Sequence, residues 1–323
     1  MLFRSGPVYL NRHFLEADLK VVVGSAFPHA ETGFGGGAKM VVPGLSGHLS
    51  IAYLHGALPP RGAGCLESAP GVLDRRAWAE AVARHVGVDL AVCAVVNTRR
   101  ELAGLFVGDV VEAHRAAARR MQEIGHTPVP RDRAERVDAV VVSTYPLDTD
   151  PVQMGKALTV ARHLRPRTIV AVNAASDGIH YHGMGMGSGI DPRRLLSNVP
   201  GWLVSPRRWA AWVRGIVRAM PSPELVARTC YFALNPLAYE TFRRREPHED
   251  LPPGDGDPPP ALLVLSPHMP RWGFRRKYRH GRLYRQWDAL RHDLVRRHGP
   301  EGRALVFPCA PLQLLEVVLP DGR

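Results

Sequence analysis

The chain has 323 residues, enough for two domains of ordinary size, and 45% of them are hydrophobic, which permits a substantial core and argues against general disorder. No apolar run approaches the ~20 residues of a membrane-spanning helix, and the opening MLFRSGPVYLNRHF has no signal-peptide core, so a cytoplasmic protein with no membrane partner is expected. The formal net charge of +12 suggests nucleic acid as a partner, but the composition argues against it: nearly all the positive charge is Arg, in company with abundant Ala, Gly and Pro, as a GC-rich genome produces.

Lys20, Lys39, Lys156 and Lys277 are the four lysines in the chain. A lysine that survives such a bias deserves inspection, because its amine can lose a proton and form a covalent bond, which Arg cannot do. The four cysteines, Cys65, Cys93, Cys230 and Cys309, are far apart and form no C-x-x-C, which argues against a zinc site or a disulfide framework.

In chain order, Pro7 to Asn11 is expected as a short strand, Phe14 to Asp18 as a turn or single helical turn, and Leu19 to Phe27 as a buried strand. The loop Pro28 to Gly44 follows. Ser46 to Leu58 has helical spacing, with Leu49, Ala52, Tyr53 and Gly56 on one face and Ser46 as N-cap. Pro59 to Gly71 is a Pro/Gly loop, Asp74 to Val86 an amphipathic helix, Val88 to Asn97 a buried strand and Leu102 to Val107 another strand. Asp109 to Ile124 is a helix whose opening Asp suits the helix dipole.

His126 to Arg136 is polar, contains two prolines and reads as a linker. The pattern then restarts: strand Val137 to Thr144, helix Asp150 to Leu164, strand Thr168 to Ala174. His180 to Gly189 is a Gly-Met loop, Pro206 to Met220 a helix rich in Trp and Arg, and Glu246 to Pro260 an acidic, Pro-rich loop. Ala261 to Ser266 and Ala304 to Pro308 are strands flanking a basic helix, Gly281 to His298. Strands alternating with helices predict an α/β fold with parallel layers. The expected organisation is two α/β domains, 1–130 and 131–323, with a cleft between them.

The stretch that concentrates chemistry is PHAETGFGGGAKMVVPGLSGHLSIAYLHG, Pro28 to Gly56. Gly33, Gly35, Gly36 and Gly37 allow unusual backbone angles and close approach of a ligand, or simply a tight turn. GFGGGAK is not a Walker A loop, since Met40 follows Lys39, nor a clean dinucleotide fingerprint. His29 ends a predicted strand, where ligands of parallel sheets sit. It is a general acid or base there, or a hydrogen-bonded rim histidine. His55 is a metal ligand or a helix histidine beside a C-cap. Lys39 is an anion contact or a covalent anchor. Gln153 and Lys156, three apart, share a helix face that either holds a carboxylate and a hydroxyl or is merely solvated. His180 and His182 form an H-x-H with no third ligand nearby. Arg271 to Trp287, basic and aromatic, stacks on bases in one reading and is a solvated Arg-rich face in the other.

The run PHAETGFGGGAKMVVPG with its following His resembles the nickel-dependent lactate racemases and their relatives. The resemblance implies that Lys39 tethers a nickel-pincer nucleotide, with Gly35, Gly36 and Gly37 against the cofactor. It implies that His55, sixteen residues on, is the axial nickel ligand, and that His29, ten residues before, is one of two catalytic histidines. RELAGLFVGDVVEAHRAAARR resembles the family's segment leading out of its first domain. DPVQMGKAL resembles the helix whose Gln and Lys contact substrate, which makes Gln153 and Lys156 the substrate-binding pair. The implied activity is racemisation or epimerisation of a small 2-hydroxy acid, with cofactor-synthesis enzymes as partners. The family also has a long segment before the Pro7-like strand, holding the other catalytic His and phosphate-binding residues. His13 does not match that His, so the chain is expected to lack this segment. A relic that binds a nucleotide or anion and a nucleic-acid-binding protein are the other two classes kept open by the residues.

Overall fold

The computed structural model describes residues 2–3, 6–149, 151–162, 164, 166–176, 259–269, 271, 274, 278 and 280–319. The H-x-H, the Gly-Met loop, the Trp/Arg helix and nearly all of the acidic loop fall outside the described residues, as does much of the basic aromatic run.

The chain begins with β1 (Leu2–Phe3) and β2 (Gly6–Pro7), an antiparallel pair. The strand expected at Pro7 to Asn11 is not formed; Leu10 makes only an isolated bridge to Ser46. Helix α1 (Arg12–Glu16) is capped by Asn11, whose side chain accepts from the Phe14 N–H. Next come β3 (Val21–Ser25), the hairpin β4 (Pro28–His29) and β5 (Gly33–Phe34), and a 3-10 turn at Gly37–Met40. Helix α2 (His48–Ala57) starts from Gly47, because the Ser46 hydroxyl is committed to the Val41 carbonyl and does not cap it.

Helix α3 (Arg75–His85) is capped by Asp74, which accepts from Ala77 N–H. Then follow β6 (Leu90–Val96), β7 (Leu102–Gly108) and α4 (Glu112–Gly125). The sheet β3-β6-β7 pairs β3 parallel to β6 and β6 antiparallel to β7. One face of it packs on α4, and α3 packs on the 3-10 turn beside it. The other is open, with Val23 63% exposed and Leu105 54% exposed, so Leu19 to Phe27 is a one-sided edge strand and not a buried one.

The predicted linker at His126 to Arg136 is structured. It forms β8 (His126–Pro130), parallel to β14 (Leu314–Val318) at the far end of the chain, and α5 (Arg131–Glu135). Prolines are tolerated because this is a two-stranded ladder with free edges. Beyond it lie β9 (Ala139–Ser143), α6 (Met154–Arg162), β10 (Thr168–Val172), β11 (Ala261–Leu265), β12 (Arg282–Tyr284), α7 (Trp287–His298) and β13 (Ala304–Phe307). Gly281 to His298 is thus a strand and then a helix. The five strands form one parallel sheet in the order β12-β11-β10-β9-β13, as the alternating pattern predicts.

The fold is α/β. Apolar side chains gather into one cluster from Val8 to Met121 joined by Leu312, and a second from Val129 to Ala310. A smaller cluster, Val170, Leu263 and Leu290, fills the α7 side of the parallel sheet, so β10 and β11 are buried on both faces and read as continuous apolar runs. Among the described residues no helix is long and apolar enough to cross a membrane.

Trp78 anchors α3 to the first cluster. It is 2% exposed and lies 5.4 Å, centroid to centroid, from Tyr53 of α2. Trp78→Ala is expected to cost about 3–5 kcal/mol in urea unfolding; a loss within the ~0.5 kcal/mol of an ordinary surface site would contradict this packing.

Candidate active site

The site is built where β3 ends. Ala26 N–H bonds to Ala94 O, and the chain turns into the β4/β5 hairpin with Pro28 opposite Phe34 and His29 opposite Gly33. Gly35 N–H donates to Phe27 O at 2.8 Å. Gly36 (φ 75°) and Gly37 (φ 56°) then take left-handed conformations that redirect the chain into the 3-10 turn bearing Lys39. A Cβ on Gly37 would also come within 2.6 Å of the His114 ring. Gly35, Gly36 and Gly37 are all buried, and the contacts they make here are with the protein.

Arg76, 1% exposed, holds this loop from below. Its guanidinium donates to Phe34 O at 2.5 Å, Gly36 O at 3.2 Å and Thr32 O at 3.3 Å, with Glu80 4.0 Å away. His114 of α4 puts Nε2 2.7 Å from Gly35 O and 2.9 Å from Arg76 Nη2. One ring nitrogen cannot both donate and accept. Nε2–H to Gly35 O is the assignment that satisfies the carbonyl, since Arg76 Nη2 already has Phe34 O. Burial and the Arg76 charge bring His114 down to about 3, so its ring is neutral.

Lys39 Nζ lies 2.9 Å from His29 Nε2, and the Glu31 N–H points to His29 Nδ1 at 3.2 Å. A neutral imidazole has one donor and one acceptor nitrogen. With Nδ1 accepting, Nε2 carries the proton and donates it, so the Lys39 nitrogen must accept. That requires a free amine. The electrostatics agree. Burial, then the charges of Arg76 and Lys156, lower Lys39 from its ordinary 10.5 to about 7, and burial with the Lys39 and Lys156 charges lowers His29 to about 2. Above about pH 7 the pair is an uncharged amine beside an uncharged ring.

A second group adjoins the first. His55 Nδ1 donates to Ile51 O at 2.8 Å, one turn back on α2, and His55 Nε2 faces Glu31 Oε2 at 3.1 Å. Arg75 grips Glu31 Oε1 at 2.8 Å and donates to His55 O at 2.7 Å. Burial raises the Glu31 carboxyl, but the His55 hydrogen bond and the His55 and Arg75 charges outweigh it and bring Glu31 down to about 2. Among the described residues, no group of three or more His, Cys, Asp or Glu converges on a point that would hold a metal by protein ligands alone.

The second half of the chain contributes from the carboxyl end of β9. There the chain enters a 3-10 turn at Pro151–Gln153 and then α6. Lys156 Nζ sits 4.6 Å from the centre of the Phe27 ring, close enough for its charge to depress both His29 and Lys39. Gln153 Oε1 is buried without a hydrogen-bond partner. Arg100 ties the β6–β7 turn to the same region, donating to Pro146 O at 2.9 Å and lying over the Tyr145 ring. A cavity of about 700 Å3 borders the site through Pro28, Ala30 and Lys156.

His29 and Lys39, from one hairpin-turn unit, thus touch each other. His55 joins them through Glu31, and Lys156 reaches them from α6. Gln153 stands one helical turn before Lys156. Sequence reasoning did not single out Glu31, Arg75, Arg76 or His114. A signal for two of them was present: Arg76 shares a face with Ala79 and Ala83, and His114 with Ala117, Ala118 and Met121, so both are polar residues on apolar helix stripes.

The fold and the site together define an α/β protein with a lysine of lowered basicity on a glycine-rich turn, set among cationic side chains. Residues 2–63 match the lactate racemase N-terminal domain family. Lactate racemase of Lactiplantibacillus plantarum is 25% identical over 226 residues, 64% of this chain and 50% of that protein. Lactate racemase of Thermoanaerobacterium thermosaccharolyticum is 28% identical over 160 residues, 48% of this chain and 35% of that protein. The matches therefore span half or less of the curated relatives' length. In fold, the chain superposes on the lactate racemase apoprotein from Thermoanaerobacterium thermosaccharolyticum with a TM-score of 0.58 at 17% identity, covering 96% of this chain and 66% of that one. A Thermotoga maritima protein gives a TM-score of 0.51 at 14% identity, covering 96% and 70%. The chain is lactate racemase-like in sequence and in fold.

Competitive acylation followed by peptide mass analysis should show Lys39 becoming reactive as pH rises through about 7. Lys156→Gln removes a positive charge and should move that midpoint upward; no movement would mean that α6 does not reach Lys39. The same shift carries a stability sign. Between about 7 and 10.5 the unfolded chain binds a proton at Lys39 that the folded chain does not, so this residue makes stability rise with pH across that window.

Proposed function

We propose that the chain racemises or epimerises a small 2-hydroxy acid, using a nickel-pincer nucleotide tethered to Lys39. The observation that carries the reading is the 2.9 Å Lys39–His29 contact with its forced free amine, because an amide-type tether needs an uncharged nucleophilic nitrogen. The reading makes the two main apolar clusters the cores of two domains, 1–130 and 131–323, facing each other across the site.

The residues present fit such a group. His55 donates its Nδ1–H to Ile51 O, the outer contact that fixes the tautomer of a metal-bound histidine and leaves Nε2 for the metal. The Glu31 carboxylate competes at Nε2, and its side chain is 37% exposed with Arg75 as a second partner, so it can turn away. One protein donor suffices where the pincer itself supplies the remaining ligands. Gly35, Gly36 and Gly37 serve this arrangement by holding the turn that presents Lys39. When bound, the cofactor supplies an acceptor for the hydride on the substrate's carbinol carbon.

The chain's own residues supply the rest. His29 takes the substrate hydroxyl proton at Nε2 and returns it there. To do so its resting proton must move to Nδ1, giving up the 3.2 Å Glu31 N–H contact, and a tethered Lys39 nitrogen, no longer an amine, stops selecting the opposite tautomer. Lys156 holds the carboxylate, and the unpartnered Gln153 Oε1 accepts from the hydroxyl. Cofactor-synthesis enzymes are the implied partners.

Co-expression with those enzymes, read by intact mass and bound nickel, tests the proposal. The expected result is one adduct that vanishes in Lys39→Ala, with nickel near one per chain. His55→Ala should keep the adduct and lose nickel, and His29→Ala should keep both and lose racemisation of lactate followed by chiral chromatography. Absence of both adduct and nickel from the wild-type chain overturns the reading.

A further inference from the structure

We propose that the cofactor-free chain is a carbonyl-capturing protein: Lys39 condenses reversibly with a small α-keto acid to form an imine, with His29 as the proton carrier. This rests on the geometry of the pair and does not depend on the racemase reading.

Three observations carry it. First, Lys39 Nζ accepts from His29 Nε2–H at 2.9 Å, so its lone pair is available once the contact opens. Second, His29 has one working nitrogen, because Nδ1 is occupied by the Glu31 N–H. Third, the charged groups that act most on Lys39 among the described residues are mostly cationic: Arg75 and Arg76 on α3 and Lys156 on α6, against the Glu31 carboxylate on the hairpin. A carbonyl compound bearing a carboxylate is drawn to that field, and a neutral ketone is not. Lys39 itself is only partly buried, and its position near neutrality in titration is that of an imine-forming lysine.

The step balances without an oxidant. The amine nitrogen attacks the keto carbon, the C–N bond forms as the C=O π pair moves to oxygen, the oxyanion takes the Nε2 proton, and the bared Nε2 then takes one from the nitrogen, now an ammonium. The resulting carbinolamine then loses its hydroxyl, the second nitrogen-borne proton passing through Nε2 to the leaving oxygen. The products are a C=N bond and water: the nitrogen has lost two protons, the oxygen has gained two, and Nε2 again carries one. Hydrolysis reverses the sequence. An α-keto acid is what oxidation of a 2-hydroxy acid at its carbinol carbon yields, so such a capture would occupy the very nitrogen that a tether requires and would hold the chain unloaded while keto acid is abundant.

The test uses the purified chain with pyruvate and sodium cyanoborohydride at pH 7, followed by intact mass and peptide mapping. The expected result is a single reduced adduct on the Lys39 peptide, on the order of a hundredfold above an ordinary lysine, whose neutral fraction at that pH is far smaller. It should be absent in Lys39→Arg, weakened in Lys156→Gln, and much weaker with acetone as the probe. Because the adduct is mapped in the wild-type chain, a misfolded variant cannot hide the answer. Labelling spread evenly over Lys20, Lys39, Lys156 and Lys277, or none at all, overturns the proposal. A cofactor adduct on co-expression with no trapping by pyruvate sinks this inference alone; trapping by pyruvate with no cofactor adduct sinks the tether alone.

Discussion

The site depends on one buried cation. The Arg76 guanidinium sits beneath the glycine loop and binds the carbonyls of Thr32, Phe34 and Gly36. Taking a charge out of water costs several kcal/mol unless its donors are met by well-placed acceptors, and here backbone carbonyls meet them, with Glu80 nearby. Burial lowers Arg76 only to about 10, so it stays protonated. The same charge then acts outward on His29, Lys39 and His114, depressing all three. Loop conformation and site protonation are therefore linked: the cation that fixes the backbone of Thr32 to Gly36 adds to burial in lowering Lys39, His29 and His114.

This changes what the glycines mean. From sequence, Gly35, Gly36 and Gly37 suggest either a ligand cradle or a tight turn. In the folded chain, Gly36 and Gly37 are needed for a left-handed turn packed against the His114 ring. The carbonyls of Gly35 and Gly36 are consumed by His114 and Arg76. Their contribution to chemistry is indirect. A side chain at Gly37 would displace His114 and, with it, the turn that aims Lys39 back at His29.

What was legible from sequence was local. The helix over Asp74 to Val86 and the parallel sheet signalled by the alternation of β9, α6 and β10 rest on patterns within single elements or between chain neighbours. What was missed rests on distant partners. His126 to Arg136 looks like a linker because its prolines and polar residues break any local pattern, yet Leu314 to Val318 pairs with its first half across almost the whole remaining chain. Leu19 to Phe27 looks buried because it is apolar, yet Val21 and Val23 face outward, since the sheet is covered on one side only. Glu31 and Arg75 acquire a role only when α3 folds back over the hairpin and brings them to His55, and no spacing along the chain encodes that contact.

The charge balance of the recess links these parts to function. Among the described residues Arg75, Arg76 and Lys156 face the Glu31 carboxylate, so a protonated Lys39 would be a further cation in a partly closed, low-dielectric space. Losing its proton relieves that repulsion, and hydrogen bonding to His29 Nε2 gives the freed lone pair a partner. A nitrogen tied up in an amide or an imine formed on an anionic molecule relieves it in the same sense, while adding a negative charge for Lys156 to face. Burial and the surrounding cations thus favour an uncharged Lys39 nitrogen, and any bond that removes its charge would be favoured by the same electrostatics.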